Sequence, residues 1–188
     1  MKKGPLIILS GPSGSGKSTV IARLLAGEDS RLRLSVSATT RRPRPGEQEG
    51  VHYYFWQPDQ FEKELAAGGF LEWAKVVDNY YGTLLREVTP YRERGIGVLL
   101  DIDVQGWEQV RRCCAEAISV FLLPPSPEAL EKRLRARSTE TEAVMQRRLN
   151  NARAEMARAN EYDYRIVNDD LDRAVAELRG IIAPLFAK

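Results

Sequence analysis

Short apolar runs and helical periodicity alternate in the first part of the chain. Residues 5–10 form an apolar run of the length of a buried strand, and residues 17–26 place apolar side chains at helical spacing up to Gly27. Residues 32–37 alternate apolar and polar side chains, which predicts a second strand. This part of the chain is therefore expected to fold as strand, helix and strand.

The same alternation returns in the second half of the chain. Runs that fit helices lie at residues 85–94, 104–114, 127–135, 141–160 and 171–186, and runs that fit strands lie at residues 96–102, 118–122 and 164–167. Strands that alternate with helices are typical of a parallel sheet, so we expect an α/β fold.

Residues 38–81 differ from the rest because prolines, glycines and aromatic residues divide them into short runs. Residues 52–56 and 70–77 fit strands, and residues 59–67 fit a helix. This composition predicts an inserted, mostly β subdomain. Taken by themselves, its aromatic residues fit the hydrophobic core of that subdomain.

Composition narrows the class of protein. The 188 residues, 43% of them hydrophobic and 29% charged, fit one folded domain. A net charge of +2 is too small to indicate a nucleic acid or membrane partner, and no apolar run has the length of a signal sequence or membrane span.

Cys113 and Cys114 are adjacent, which fits neither a metal motif nor an ordinary disulfide. We expect a cytoplasmic protein, and a homo-oligomer stays open.

The clearest chemical motif follows the first predicted strand. Residues 11–18 match the phosphate-binding pattern G-x-x-x-x-G-K-[ST]. Glycines let backbone N–H groups turn towards an anion, Lys17 reaches the β- and γ-phosphates, and the Ser18 hydroxyl can bind Mg²⁺. The alternative is a flexible glycine turn. The predicted ATP-binding residues here are Gly11, Pro12, Ser13, Gly14, Ser15, Gly16, Lys17, Ser18 and Thr19.

Two further segments have groups suited to nucleotide chemistry. Asp101 lies near the end of the apolar run at residues 96–102, and Asp103 follows the run directly. These acids either lie near a metal and substrate or face solvent. Residues 35–47 crowd hydroxyls and arginines onto a loop that prolines stiffen, and arginine binds phosphate with two parallel hydrogen bonds. We expect a second phosphate site in this loop.

Together these motifs resemble the guanylate kinase family along essentially the whole chain. The segments responsible are GPSGSGKST, SVSATTRRPRPGE, YYF, FLEWA, NYYGT, LLDIDVQG, PPS, RRL and VNDD, in this order. The resemblance implies one domain over residues 1–188. Within it would lie a P-loop core with a parallel sheet (residues 1–37, 84–130 and 150–188), a GMP-binding insertion (38–83) and an arginine-bearing lid (131–149).

The resemblance also implies an activity and a set of site residues. The activity is phosphoryl transfer from ATP to GMP, with Mg²⁺ as cofactor and dGMP as a further acceptor. The residues expected at the GMP phosphate are Ser37, Arg41, Arg44, Tyr53 and Tyr81, and those expected elsewhere in the GMP site are Glu72, Thr83, Asp101 and Asp103. The expected catalytic cations are Lys17, Arg41, Arg44, Arg133, Arg137 and Arg148, and Asn168 joins the ATP site.

The base assignment has its own chemical rationale. Guanine presents N1–H and N2–H₂ donors side by side, which the carboxylate of Glu72 can accept, and an O6 acceptor that the hydroxyl of Thr83 can satisfy. Adenine would instead present a bare N1 lone pair to the same carboxylate.

Three alternatives stay open from the sequence. Arg135 and Arg147 compete for the role of lid cations. A catalytically inactive guanylate-kinase-like module that binds proteins is a rival function, although the intact Lys17 and Ser18 argue against it. Another is a kinase of the same fold for a different phosphorylated acceptor, against which Glu72 argues.

Overall fold

The computed structural model describes residues 2–27, 31–76, 78–136 and 141–187. The strands in these ranges are β1 (Leu6–Ser10), β2 (Leu32–Leu34), β3 (Ser37–Thr39), β4 (Tyr54–Phe55), β5 (Phe70–Val76), β6 (Asn79–Leu84), β7 (Gly97–Asp101), β8 (Ile118–Leu123) and β9 (Tyr164–Val167). The α-helices are α1 (Lys17–Leu25), α2 (Pro58–Ala66), α3 (Leu85–Glu93), α4 (Val104–Cys113), α5 (Pro127–Ala136), α6 (Glu142–Ala157) and α7 (Leu171–Ile182). Short 3₁₀ helices follow α6 and α7 at Ala159–Glu161 and Ala183–Phe186.

The larger sheet has the strand order β2-β7-β1-β8-β9. Parallel pairing joins β1 to β8, β2 to β7 and β8 to β9. Residues 6–9 of β1 and residues 98–100 of β7 expose at most 1% of their surface. This burial explains their uninterrupted apolar sequence, because strands of a parallel sheet are covered on both faces. The expected parallel α/β sheet is confirmed.

The smaller sheet has the order β4-β3-β6-β5 and is mostly antiparallel around β6. Its core is aromatic. Phe61 of α2 is fully buried and stacks on Phe70, with ring centroids 4.3 Å apart, and on Tyr80, with centroids 5.1 Å apart. Such stacked pairs add to the free energy that burial of apolar surface supplies. The core interpretation is thus correct for Phe70 and Tyr80 but wrong for Trp73, which is 36% exposed.

Two expectations within this region need correction. The strand expected over residues 32–37 is two strands in two sheets: β2 pairs with β7, and β3 pairs with β6. Alternation marks an extended chain but does not reveal which distant strand it joins. The strand β6 was not predicted, because it contains Gly82 and glycine weakens strand patterns. The structure explains this glycine, since a Cβ there would lie 2.7 Å from the Phe70 ring.

The chain divides into two compact units. Unit 1 comprises the described parts of residues 1–6, 30–100 and 105–117, and unit 2 comprises those of residues 7–29, 101–104 and 118–188. Unit 1 contains the smaller sheet. In unit 2, α5 and α6 pack through a cluster that consists of Leu130, Leu134, Met145, Leu149 and Ala152. None of the helices in the described ranges is long and apolar enough to cross a membrane.

A buried carboxylate connects three elements of unit 1. Glu87 of α3 is 7% exposed, accepts a hydrogen bond of 2.6 Å from Arg33 of β2, and accepts another of 2.9 Å from the Tyr54 hydroxyl of β4. Burial and the neighbouring carboxylate raise the pKa of Tyr54, which therefore stays a donor at neutral pH. Charged groups in such surroundings are stabilised only while their partners remain.

Replacing Glu87 with Ala should lower the free energy of unfolding by about 2 kcal/mol, because Arg33 and Tyr54 would each lose a partner while staying partly buried. Urea denaturation would measure this change. The matched control is Glu93→Ala on the same helix, where the side chain is exposed and the expected change is within about 0.5 kcal/mol. Equal effects of the two substitutions would contradict the assignment.

Candidate functional site

The phosphate-binding motif forms a loop between β1 and α1 in unit 2. Gly14 and Gly16 adopt φ angles of 88° and 98°, which L side chains rarely reach. A Cβ at Gly14 would also lie 3.1 Å from Leu130. Helix α1 begins at Lys17 with no side-chain cap and no acidic residue in its first turn. The positive end of this helix is therefore available to an anion, as the motif predicts.

Lys17 lies among oxygen acceptors of its own unit. Its Nζ donates a hydrogen bond of 2.6 Å to the carbonyl of Gly11 and lies 3.9 Å from Oδ1 of Asp101. Removal from water raises the pKa of Asp101, and the charge of Lys17 opposes that shift. The Ser10 hydroxyl, at the end of β1, donates 2.8 Å to the carbonyl of Ile102. This contact holds the segment of Asp101 and Asp103 beside the start of the loop.

Two of the expected lid arginines contact the phosphate-binding loop. Arg148 of α6 donates a hydrogen bond of 3.0 Å to Oγ of Ser13. Arg133 of α5 lies 3.4 Å from the carbonyl of Ser15. The third expected arginine, Arg137, lies outside the described residues.

The alternative arginines are placed differently. Arg135 is bound to Glu131 at 2.9 Å and to both carboxylate oxygens of Glu142 at 2.8 and 2.9 Å, which joins α5 to α6 at the surface. Arg147 is exposed. The geometry therefore separates Arg133 and Arg148, which contact the loop, from Arg135, which ties two helices together.

An open cavity of about 360 Å³ lies beside the loop. Its lining includes four of the expected ATP-binding residues, Gly14, Gly16, Thr19 and Asn168, together with Arg133, Asp169 and Leu171. Asn168 follows β9 directly, and its backbone N–H donates 2.8 Å to the carbonyl of Leu123 in β8. The carboxyl ends of parallel strands thus position both the loop and the cavity, which is where ligands bind in open α/β sheets.

Glu155 of α6 is a titratable group that sequence reasoning missed. It is partly buried near Lys17 and Asp103, and burial raises its pKa to about 7 while the charge of Lys17 opposes the shift. No motif marks this glutamate, because only the fold brings α6 to the loop. A carboxyl group that titrates near neutral pH beside Lys17 makes the local charge depend on pH.

In unit 1, the expected phosphate-binding arginine is held by a neighbour from the same loop. Arg41 donates to both oxygens of Glu47, at 2.8 and 2.9 Å, and this pairing raises the pKa of Arg41 and lowers that of Glu47. The backbone N–H of Arg44 also donates 2.7 Å to Glu47. Glu47 therefore organises both arginine positions, and its place in the segment RRPRPGE was the available signal.

The two expected tyrosines lie beside Arg41. The rings of Tyr53 and Tyr81 meet edge to face with centroids 6.1 Å apart, and the Arg41 guanidinium lies 5.5 Å from the Tyr53 ring. The side chain of Arg44 is exposed. The structure thus brings together Arg41, Tyr53 and Tyr81, while Arg44 joins this group through its backbone.

Strand register brings three other predicted residues into one row. Ser37 of β3 pairs with Thr83 of β6, and Thr83 pairs with Glu72 of β5. Residues directly opposite each other on antiparallel strands present their side chains on the same face. Ser37, Thr83 and Glu72 therefore share one face of the smaller sheet, although they are far apart in sequence.

Glu72 is a buried carboxylate that Thr83 orients. It is 5% exposed, and its Oε1 accepts 2.9 Å from the Thr83 backbone N–H and 2.6 Å from the Thr83 hydroxyl. The hydroxyl proton is thus donated to Glu72 in this structure. Its expected donation to guanine O6 stays a prediction.

The fold and the loop define the class of protein. A parallel α/β sheet with an uncapped glycine loop between β1 and α1, and with arginines from neighbouring helices on that loop, is the arrangement of a P-loop phosphotransferase.

Comparison with known proteins defines the family. The family model for guanylate kinase matches residues 3–184. A guanylate kinase of Symbiobacterium thermophilum is 52% identical over 180 residues, which cover 96% of this chain and 85% of the relative. A guanylate kinase of Rickettsia bellii is 48% identical over 180 residues, which cover 96% of this chain and 94% of that relative. The crystal structure of guanylate kinase from Anaplasma phagocytophilum superposes with a TM-score of 0.83 at 31% identity and covers 100% of this chain and 89% of that one. The chain belongs to the guanylate kinase family, whose members are ATP:GMP phosphotransferases.

Replacing Glu155 with Gln should raise the free energy of unfolding more at pH 8 than at pH 5. The folded state keeps a proton on Glu155 up to about pH 7, whereas the unfolded chain releases it near the ordinary glutamate pKa of 4.5, so native stability falls as pH rises through this interval. Glutamine removes this loss, which amounts to about 3 kcal/mol at most. Urea unfolding at both pH values would measure it. Glu62→Gln, at an exposed position of α2, is the control, and the same pH dependence in both variants would contradict the interpretation.

Proposed function

We propose that this chain transfers the terminal phosphoryl group of ATP to GMP with two residue sets, one in each unit. Unit 2 binds the phosphates of ATP through the loop at residues 11–16, Lys17 and Thr19, and unit 1 binds GMP on the smaller sheet. Asp101 and Asp103, which the family resemblance also assigns to GMP, belong to unit 2. Phosphoryl transfer between nucleotides requires positioning and charge stabilisation rather than a nucleophilic side chain.

The cations around the loop support the proposed binding of ATP by unit 2. Lys17, Arg133 and Arg148 contact carbonyl or hydroxyl oxygens of the loop, and phosphate oxygens are stronger acceptors for the same donors. These three cations would exchange loop oxygens for phosphate oxygens when ATP binds, and Arg137 is expected to act on the same phosphates. Their charge then stabilises the charge that develops on the transferring group.

Mg²⁺ is the proposed cofactor of this half. The exposed Ser18 hydroxyl lies in the first turn of α1, directly after Lys17. Mg²⁺ prefers hard oxygen ligands and in kinases keeps few protein ligands beside phosphates and water, so a single hydroxyl here fits it. When bound, the ion would neutralise charge on the β- and γ-phosphates.

The observation that carries the GMP assignment is the buried carboxylate of Glu72. A buried acceptor-only group is matched by guanine N1–H and N2–H₂, whereas adenine offers a lone pair at N1. The phosphate of GMP would bind Ser37, Arg41, Arg44, Tyr53 and Tyr81. Glu47 is expected to hold Arg41 in place until the phosphate arrives.

Three further points belong to the proposal. dGMP is expected as a second acceptor, because the residues assigned here address the base and the phosphate rather than the ribose. A cytoplasmic location within purine nucleotide metabolism is proposed from the kind of reaction. The oligomeric state stays open.

A coupled spectrophotometric assay with ATP and Mg²⁺ against GMP, dGMP, AMP, CMP and UMP would test the proposed activity. We expect turnover of GMP and dGMP and little of the others. Lys17→Met should lower kcat by several orders of magnitude with little change in melting temperature, because the lost charge acts on the transferring group. Near-normal turnover by this variant, or no turnover of GMP by the wild-type chain, would reject the catalytic proposal.

Glu72→Gln should lower kcat/KM for GMP by about ten- to a hundredfold. The Thr83 hydroxyl and N–H will retain the amide oxygen, so the amide NH₂ would face the donors of guanine. The affinity for ATP should change little, because ATP binds in unit 2. Glu93→Gln, an exposed glutamate of unit 1, provides the control. Equal losses for both nucleotides would mean that Glu72 is a structural residue only.

A further inference from the structure

Asn168 contacts the phosphate-binding loop itself. Its Nδ2 donates a buried hydrogen bond of 2.7 Å to the carbonyl of Ser15, and Asn168 as a whole is 7% exposed. A Cβ at Gly16 would lie 2.4 Å from the same Nδ2. The amide of Asn168 is therefore packed directly against the peptide that joins Ser15 to Gly16.

The orientation of that peptide matters for anion binding. A peptide unit is planar and trans, so its carbonyl and its N–H point in opposite directions. If the Ser15 carbonyl turned towards the anion, it would repel the anion. The N–H of the same peptide unit, that of Gly16, would then point away from the anion. Holding the Ser15 carbonyl on one side therefore keeps the Gly16 N–H on the other.

Asn168 is well placed to supply this restraint. Its backbone N–H is bound to Leu123 of β8 at 2.8 Å, so the larger sheet fixes where its side chain begins. Arg133 is the other described donor to the Ser15 carbonyl, at a longer 3.4 Å. If Arg133 moves to a phosphate, the shorter and buried hydrogen bond from Asn168 still holds the Ser15 carbonyl.

We propose that Asn168 is a positioning residue for the phosphate-binding loop, because its amide fixes the Ser15–Gly16 peptide in the orientation that binds phosphate. This inference rests on the proposed binding of ATP phosphates by the loop, and it goes beyond membership in the ATP site. It also explains Gly16 of the motif: this position combines φ of 98° with close contact to Asn168, and both exclude a side chain.

Tripolyphosphate separates this role from recognition of the adenine base, because it has the phosphates of ATP without the base. Isothermal titration calorimetry would compare tripolyphosphate and ATP, each with Mg²⁺, on the wild-type chain and on Asn168→Ala. Loss of the buried contact should weaken both ligands by about the same factor, about tenfold. This substitution adds no charge, so electrostatic repulsion of the anion cannot account for the loss.

Three controls distinguish a loss of loop positioning from general structural damage to the protein. Asn160→Ala, at an exposed position of unit 2, should leave both affinities within twofold. The affinity of Asn168→Ala for GMP should be unchanged, because Asn168 is not among the residues assigned to that nucleotide. Should Asn168→Ala fail to fold, Asn168→Leu fills the same space without a donor and should give the same result.

The outcomes are distinct. Equal loss of tripolyphosphate and ATP supports the positioning role. Loss of ATP alone, with tripolyphosphate unchanged, would overturn it and leave Asn168 as a base-binding residue. If the wild-type chain binds neither ligand, the proposed function fails, and this inference fails with it.

Discussion

The candidate ATP site depends on one constraint: several backbone N–H groups must stay available to the same anion rather than be occupied by a side-chain cap. Helix α1 meets this constraint because its first turn has neither a side-chain cap nor an acidic residue. Its unpaired donors would be costly in an ordinary helix. In the proposed site they would be paired by phosphate oxygens, so the feature that weakens the isolated helix would be the feature that binds phosphate.

The same constraint explains the positions of the cations. Lys17, Arg133 and Arg148 each contact carbonyl or hydroxyl oxygens of the loop, and the Lys17–Asp101 distance of 3.9 Å is long for an ion pair. A neutral acceptor holds a cation more weakly than a carboxylate does. These loop contacts can therefore be exchanged for contacts to phosphate at small cost. Arg41 differs, since two close contacts to Glu47 already hold it.

Local patterns predicted the core and the loop because their chemistry is contiguous in sequence. An apolar run, a glycine loop and a helix of residues 5–26 were sufficient, and the structure has them at nearly the same bounds. The strand β6, the change from the larger to the smaller sheet between β2 and β3, and the role of Glu47 could not be derived in the same way. Each depends on which distant strand or side chain becomes a neighbour, and composition does not encode that choice locally.

The smaller sheet shows how such long-range pairing creates a site. Ser37, Thr83 and Glu72 come from three adjacent strands, so their row spans about 10 Å, because neighbouring strands lie about 4.8 Å apart. The segment of Arg41 continues from β3, at the end of the row opposite to Glu72. A phosphate bound near β3 and a base bound near β5 would then be separated on the scale of one mononucleotide. With the proposed assignment, selectivity for a nucleotide monophosphate would arise from strand register as much as from the identity of any single side chain.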